Sequence, residues 1–186
     1  LLNNSHKIII YNITTNGLSM PGISIPTGNS SPRDLIVVDV EGNENDKVYF
    51  TNWETQDIKV FNLFNYHFEA PIPVNGLPED IIIDGDYLWV TIPMNPDWSD
   101  ANTVLKIDIN SNIIEPIDVG PGPQEIVKHN GNIYVSRTFY NNSDHLIAKH
   151  GVTKIIGPQQ TIYKDVGSGG ACGGSILSFQ SNIYRS

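Results

Sequence analysis

The chain has 186 residues, of which 39% are hydrophobic and 17% are charged, and its net charge is −9 at pH 7. This composition is typical of a globular protein, and no apolar run approaches the roughly 18 residues of a membrane-spanning helix. The sequence therefore predicts neither a disordered chain nor one that inserts into a membrane. Because an acidic chain repels phosphate backbones, nucleic acid is excluded as a partner, while cations and amines are favoured.

A unit of about 45 residues is repeated along the chain. Three copies carry an anchoring proline, at Pro32, Pro78 and Pro123, with spacings of 46 and 45 residues. Each copy begins with an apolar segment, a short turn and a second segment that contains Tyr or Trp. A polar loop and two further segments rich in Ile and Val follow. Four short strands in a period of roughly 40–50 residues are typical of a β-propeller blade.

The second and third copies show the first two strands of the unit most clearly. Residues 81–84 and 87–91 flank a Gly-Asp turn, and residues 125–128 and 132–136 flank an Asn-Gly turn. Two-residue turns of this kind join antiparallel neighbours. Because no segment sustains a 3.6-residue apolar period, the sequence predicts no helix.

The repeat predicts a single domain with half blades at both ends. The predicted units are a half blade at 1–27, full blades at 28–74, 75–119 and 120–166, and a half blade at 167–186. In the third full blade, the third and fourth strands are predicted at 146–150 and 161–166. The first half blade supplies strands three and four of a unit, and the last supplies strands one and two. Together they would close a four-bladed ring; alternatively the chain is an open arc of a larger ring, which the missing initial Met favours.

Residues 123–136 and their counterparts resemble the YVTN-type β-propeller repeat. The matching features are a Gly before the Pro, an apolar strand, an Asn-Gly or Gly-Asp turn, and Tyr-Val-Ser or Tyr-Phe-Thr-Asn. The resemblance covers nearly the whole chain and implies an all-β propeller built of about four repeats, each a four-stranded antiparallel blade. Related repeats occur in surface-layer-like proteins, lyases and lactonases, so the resemblance implies an exported, periplasmic or cell-surface protein without fixing its activity.

One carboxylate recurs at the start of the first strand in three successive units. These residues are Asp34, Asp80 and Glu125. A ring of carboxylates with Asn oxygens nearby suits a hard cation, so we expect calcium as the possible cofactor at these three positions. Alternatively, each carboxylate accepts hydrogen bonds from backbone N–H groups at the start of a blade, and Arg33 and Arg137 supply the counter-charge.

Aromatic residues concentrate in the loops at the same end of the blades. Trp53, Trp98 and Phe139 form either a platform for a sugar or peptide, or packing between neighbouring blades. With Arg137 and Asn142 they make up the predicted ligand-binding set, whose partner would be a protein, a peptide or a carbohydrate.

The sequence offers no catalytic constellation, so no catalytic residue is predicted. The lone Cys172 lies in a Gly-rich loop without a nearby His, which favours a passive thiol, and the five histidines show no metal-ligand spacing. The leading hypothesis is therefore a non-catalytic binding or protein-interaction module. The alternative is a metal-dependent enzyme resembling a lyase or lactonase, with its site at the acidic channel mouth. A third possibility is a propeller segment with a purely structural role.

Overall fold

The computed structural model describes residues 5–19, 22–39, 46–138, 149–157, 160–168 and 174–186. Within these ranges the chain is all-β, as predicted, and contains no α-helix. No helix in this part of the chain is long and apolar enough to cross a membrane.

The strands form consecutive antiparallel sheets along the chain. The N-terminal segment contains β1 (Lys7–Ile10), β2 (Ile13–Thr14), β3 (Gly17–Leu18) and β4 (Ile23–Pro26). The first full blade contains β5 (Pro32–Val38), β6 (Lys47–Asn52), β7 (Asp57–Asn62), β8 (His67–Phe68) and β9 (Ile72–Pro73). β1 pairs with β4, β2 pairs with β3, and β8 and β9 both pair with β7, so the fourth strand of the first full blade is split.

The second and third full blades each have four continuous strands. The second contains β10 (Ile81–Asp84), β11 (Tyr87–Met94), β12 (Asp100–Asp108) and β13 (Ile114–Asp118). The third contains β14 (Pro123–His129), β15 (Asn132–Arg137), β16 (Lys149–Gly157) and β17 (Gln160–Ser168). A hairpin of β18 (Ile176–Phe179) and β19 (Asn182–Arg185) follows.

The strand predictions hold for the first half of each unit and are less accurate for the third full blade. The predicted turn between β14 and β15 is present: Asn130 and Gly131 have φ of +48° and +74°, which is the backbone of a type I′ turn. The third strand was predicted at 146–150, but β16 runs from Lys149 to Gly157 and pairs with β15 through Ile155. The prediction was misplaced because 11 residues separate β15 from β16, whereas four and five residues separate the equivalent strands of the first and second full blades.

Successive sheets pack face to face, which makes this a β-propeller fold. β10 packs against β5, β14 packs against β10 and β11, and β18 packs against β14, so that the first strands of neighbouring blades lie side by side. Buried side chains fill the junctions between the N-terminal segment and the three full blades, such as Ile58, Val90 and Ile107 between the first and second full blades. Burying one such side chain stabilises the fold by roughly 1.5–3 kcal/mol, so these junctions hold neighbouring blades together.

Candidate functional site

The loop before the first strand of each blade and the loop between its second and third strands share one end of the sheet. In the first full blade, Pro32 pairs with Asn52, and Asn52 pairs with Asp57. In the second, Met94 pairs with Asp100 at the same end. We call this end the top face, and its described loops are residues 29–34, 52–57, 76–80, 94–100 and 122–125.

The three repeated carboxylates of the top face bond to the neighbouring blade. Each accepts a hydrogen bond from the backbone N–H of the residue after the equivalent position in the next unit. The bonds run from Ile81 N to Asp34 Oδ2 (3.2 Å), from Ile126 N to Asp80 Oδ2 (2.7 Å) and from Ile176 N to Glu125 Oε2 (2.9 Å). We call these bonds the inter-blade caps. A shift of strand register next to Asp34 and Glu125 marks a β-bulge, a feature that redirects side chains.

A buried hydroxyl makes a second contact between blades at each of the first two junctions. Thr51 and Thr91 occupy the same position of the repeat, and both are fully buried. Thr51 Oγ1 accepts from Asp34 N (3.0 Å) and donates to Glu79 O (2.7 Å), while Thr91 Oγ1 accepts from Asp80 N (3.0 Å) and donates to Gln124 O (2.6 Å). The sequence analysis did not single out these threonines, although a hydroxyl recurs at Thr51, Thr91 and Ser136.

Asp80 has the most perturbed carboxyl group of the top face. Burial raises the pKa of Asp80 to about 8, and the hydrogen bond and negative charge of neighbouring Asp34 act in the same direction. The backbone N–H groups of Ile126 and Ile81 oppose this shift but do not cancel it. Asp80 is therefore protonated at neutral pH, and the repulsion between the two carboxyl groups is relieved by a proton.

The carboxylates do not form a grouped metal site in the described part of the chain. No set of three or more His, Cys, Asp or Glu side chains among the described residues is placed to hold a metal ion. Asp34 and Asp80 are close together, but Glu125 accepts from Ser175 Oγ (2.9 Å) and Ile176 N at the next junction. Calcium binding by Asp34, Asp80 and Glu125 thus stays a prediction, and the described residues do not bring the three carboxylates together as one set of ligands.

The two arginines that were expected to neutralise these carboxylates have other partners. Arg33 makes a bidentate ion pair with Glu79, with Nε–Oε2 and Nη2–Oε1 distances of 2.9 and 2.7 Å. Arg137 is only 2% exposed and donates to Asp165 Oδ1 over 2.6 Å, while its guanidinium carbon lies 5.2 Å from the centre of the Tyr163 ring. Arg33 and Arg137 therefore pair with Glu79 and Asp165, and not, as expected, with the three repeated carboxylates. A buried Arg137 also offers little surface to a ligand.

Two of the predicted aromatic residues meet on the top face across the junction of the first two full blades. Trp53 and Trp98 are edge-to-face, with their ring centres 5.6 Å apart and their planes at 80°. The Arg33 guanidinium covers a face of Trp53 at 4.3 Å, and Trp53 is half-buried. Trp98 is 56% exposed. Phe139 and Asn142, the other predicted ligand-binding residues, lie outside the described residues, as does Cys172.

The loop that carries Trp98 is held by its own hydrogen bonds. Trp98 N donates to Asn95 O (2.9 Å), Asn95 N donates to Ser99 O (2.8 Å), and Asn95 Nδ2 donates to Asp100 O (3.0 Å). Trp98 has a φ of +67°, a strained backbone for a bulky side chain. Hydrogen bonds from Ser99 keep the pKa of Asp97 below its ordinary value. The loop thus presents an exposed indole and an ionised carboxylate in a fixed conformation.

A groove of about 420 Å³ runs along the same junction, beside the Trp98 loop. We call it the junction groove. It is lined by seven apolar residues and three neutral polar ones: Pro73, Val74, Ile92, Ala101, Leu105, Ile114, Pro116, Asn75, Asn95 and Thr103. The repeat pattern does not reveal this groove, because its two walls come from different repeat units.

No family model and no curated protein matches the chain. Among solved structures, the chain is similar to Kluyveromyces lactis Hsv2, with 11% identity, 80% of this chain and 44% of that chain covered, and a TM-score of 0.46. It is also similar to a Bacillus subtilis family 43 arabinoxylan arabinofuranohydrolase in complex with cellotetraose, with 17% identity, coverage of 84% and 42%, and a TM-score of 0.47. A Bacteroides caccae protein of unknown function shows 13% identity, coverage of 81% and 71%, and a TM-score of 0.43.

The chain spans less than half the length of the Hsv2 and arabinofuranohydrolase chains. At these identities and TM-scores, the similarities carry no argument about activity or ligand. The propeller assignment rests on the sheet order and on the packing of neighbouring blades.

Proposed function

We propose that this chain is a non-catalytic binding module of the YVTN-type propeller class, exported or displayed at a cell surface, with its ligand on the top face. The observation that carries the proposal is Trp98, an indole that is 56% exposed at the tip of an internally bonded loop. A large aromatic side chain held outside the core in one conformation offers contact area at a low entropic cost. The assignment to the YVTN class rests on the sequence repeat.

The use of the charged groups on the top face also favours binding over acid–base catalysis. Asp34 and Asp80 accept backbone hydrogen bonds from the neighbouring blade, and Arg33 is paired with Glu79. Groups engaged in this way stabilise blade junctions, whereas Trp98 contacts Trp53 across the junction and still leaves 56% of its surface exposed. The surface next to Trp98 is therefore the part of the top face with which a ligand would make contact.

A binding screen tests this proposal. Fluorescently labelled protein is applied to a peptide library and to an array of neutral and charged oligosaccharides, as wild type and as Trp98→Ala. Phe64→Ala is the matched control, because Phe64 is 59% exposed in the turn after β7, at the end of the first full blade opposite to the top face. We expect binding that Trp98→Ala weakens and Phe64→Ala leaves intact. Binding that is equal in all three proteins would place the ligand elsewhere.

One observation favours the alternative of a metal-dependent enzyme resembling a lyase or lactonase. The raised pKa of Asp80 is a property shared with catalytic acids. Turnover of a lactone panel, measured with and without added divalent metal, separates the two functions. Turnover that is lost in Asp80→Asn while the protein stays folded would overturn the binding proposal; we expect no turnover in either protein.

A further inference from the structure

The junction groove has the chemistry of a site for a neutral apolar segment. Its lining contains no charged side chain, and seven of its ten residues are apolar. The hydroxyl groups of a sugar would lose water against Ile92, Leu105 and Ile114 without gaining partners, which costs free energy for each unpaired group. Apolar side chains of a peptide would gain free energy from the same contact. The groove therefore favours a peptide over a carbohydrate.

The polar residues of the groove match a peptide backbone. Asn75 carries a carboxamide group that can donate to a carbonyl and accept from an N–H. The Asn95 carboxamide donates to Ser99 Oγ and Asp100 O and offers its oxygen as an acceptor, and Thr103 adds a hydroxyl. An extended peptide presents N–H and C=O groups in alternation, and its side chains point alternately to opposite sides. A segment with apolar residues at every second position would bury these in the groove.

The Trp98 loop adds a charge preference at one end of the groove. Asn95 belongs to both features, since it lines the groove and its side chain fixes the loop through Asp100 O. At the loop tip, the exposed Trp98 indole is next to the ionised Asp97. An indole face attracts a Lys or Arg side chain, and a neighbouring carboxylate strengthens this attraction. The net charge of the chain, −9 at pH 7, also favours a cationic partner.

We infer that the ligand of the top face is an extended peptide segment of a partner protein, with alternate apolar residues in the junction groove and a Lys or Arg on Trp98. This inference deepens the proposed function and rests on it. The volume of about 420 Å³ is within the range of roughly 300–1,000 Å³ for small ligand sites. The site thus accommodates a short stretch of peptide rather than a folded domain.

The test uses a phage-displayed library of random octapeptides, followed by fluorescence anisotropy of the enriched peptides. Four variants accompany the wild type: Thr103→Lys, Thr103→Val, Trp98→Ala and Phe64→Ala. Thr103 is half-buried on β12 opposite Asp118, so a lysine there fills the groove next to a carboxylate, while valine keeps its shape. Melting curves verify that each variant is folded.

We expect the enriched peptides to alternate apolar and polar residues and to carry a Lys or Arg at one end. Thr103→Lys should weaken their binding by about 10-fold or more, and Thr103→Val by less than about 2-fold. Trp98→Ala should remove the difference between a peptide that ends in Lys and its Ala-substituted copy. Phe64→Ala should change nothing.

Three results would overturn the inference, and they differ in what they say about the proposed function. If no peptide is enriched but neutral oligosaccharides bind in a Trp98-dependent manner, the peptide inference fails and the binding module stands. Peptides that bind equally well to Thr103→Lys would also exclude the groove. If neither peptides nor oligosaccharides bind, the inference and the proposed function fail together.

Discussion

Replacing Asp80 by Asn should flatten the dependence of stability on pH. Burial, with Asp34 nearby, raises the pKa of Asp80 to about 8 in the folded protein from an ordinary 3.8, so the folded state holds a proton that the unfolded state has released. The carboxamide of Asn imitates the protonated carboxyl group, because it is neutral, can accept the hydrogen bond from Ile126 N and can donate one to Asp34. Asp80→Asn should therefore fold at neutral pH.

The sign and size of the effect follow from proton linkage. The stabilisation by the proton is fully present below about pH 3.8 and is lost as the pH rises through about 8. Between these values, one extra proton on the folded state lowers the free energy of unfolding by about 1.4 kcal/mol for each pH unit. From pH 5.5 to pH 8, wild type should lose about 3 kcal/mol relative to Asp80→Asn.

Urea denaturation followed by tryptophan fluorescence at several pH values between 5.5 and 8 measures this slope. The control is Asp86→Asn, which removes an exposed carboxylate from the turn between β10 and β11 at the opposite end of the same blade. We expect the profile of Asp86→Asn to run parallel to that of wild type. If the profile of Asp80→Asn is also parallel to wild type, the folded protein holds no extra proton at Asp80 and the reasoning is wrong.

Three further experiments test the blade junctions. Thr91→Val removes a fully buried hydroxyl and leaves a backbone N–H and C=O unpaired, which should cost about 2 kcal/mol or more in urea denaturation. Gly122→Ala should lower the melting temperature more than the other substitutions in this paragraph. The added Cβ would lie 1.6 Å from Thr138 O, and the φ of Gly122 is +69°. A double-mutant cycle of Arg33→Met and Glu79→Gln should give a coupling free energy of about 1–2 kcal/mol, and a value near zero would show that the bidentate pair does not stabilise the junction.

Calcium addition is a direct measurement on the predicted cation site. Since Asp34, Asp80 and Glu125 each accept a backbone hydrogen bond, we expect calcium to leave the melting temperature unchanged. An increase in melting temperature that is present in wild type and absent in Asp80→Asn would restore the calcium hypothesis.

The sequence was sufficient for the parts of the fold that local residues determine. The 45-residue repeat predicted successive four-stranded sheets, and the Asn-Gly pair at Asn130 predicted a type I′ turn because few other residues adopt its positive φ values. β16 was misplaced because the 11 residues between β15 and β16 break the spacing on which the prediction relied.

The candidate site was less predictable because its contacts join different repeat units. A recurring carboxylate at Asp34 and Asp80 was visible, but its partner is an N–H group 46 or 47 residues further along the chain. Trp53 and Trp98 were expected either to bind a ligand or to pack between blades. The structure gives each a different environment, since Trp53 is covered by Arg33 and Trp98 is exposed.

The direction of the inter-blade caps has a consequence for synthesis on the ribosome. Asp34 and Asp80 each lie upstream of the N–H group that they accept from, and Glu125 follows the same rule. A blade that has left the ribosome therefore carries an unoccupied acceptor until roughly one more repeat has been translated. At about 5–20 residues per second, this interval lasts several seconds. A nascent chain would thus assemble vectorially, with each completed sheet serving as the template on which its successor docks.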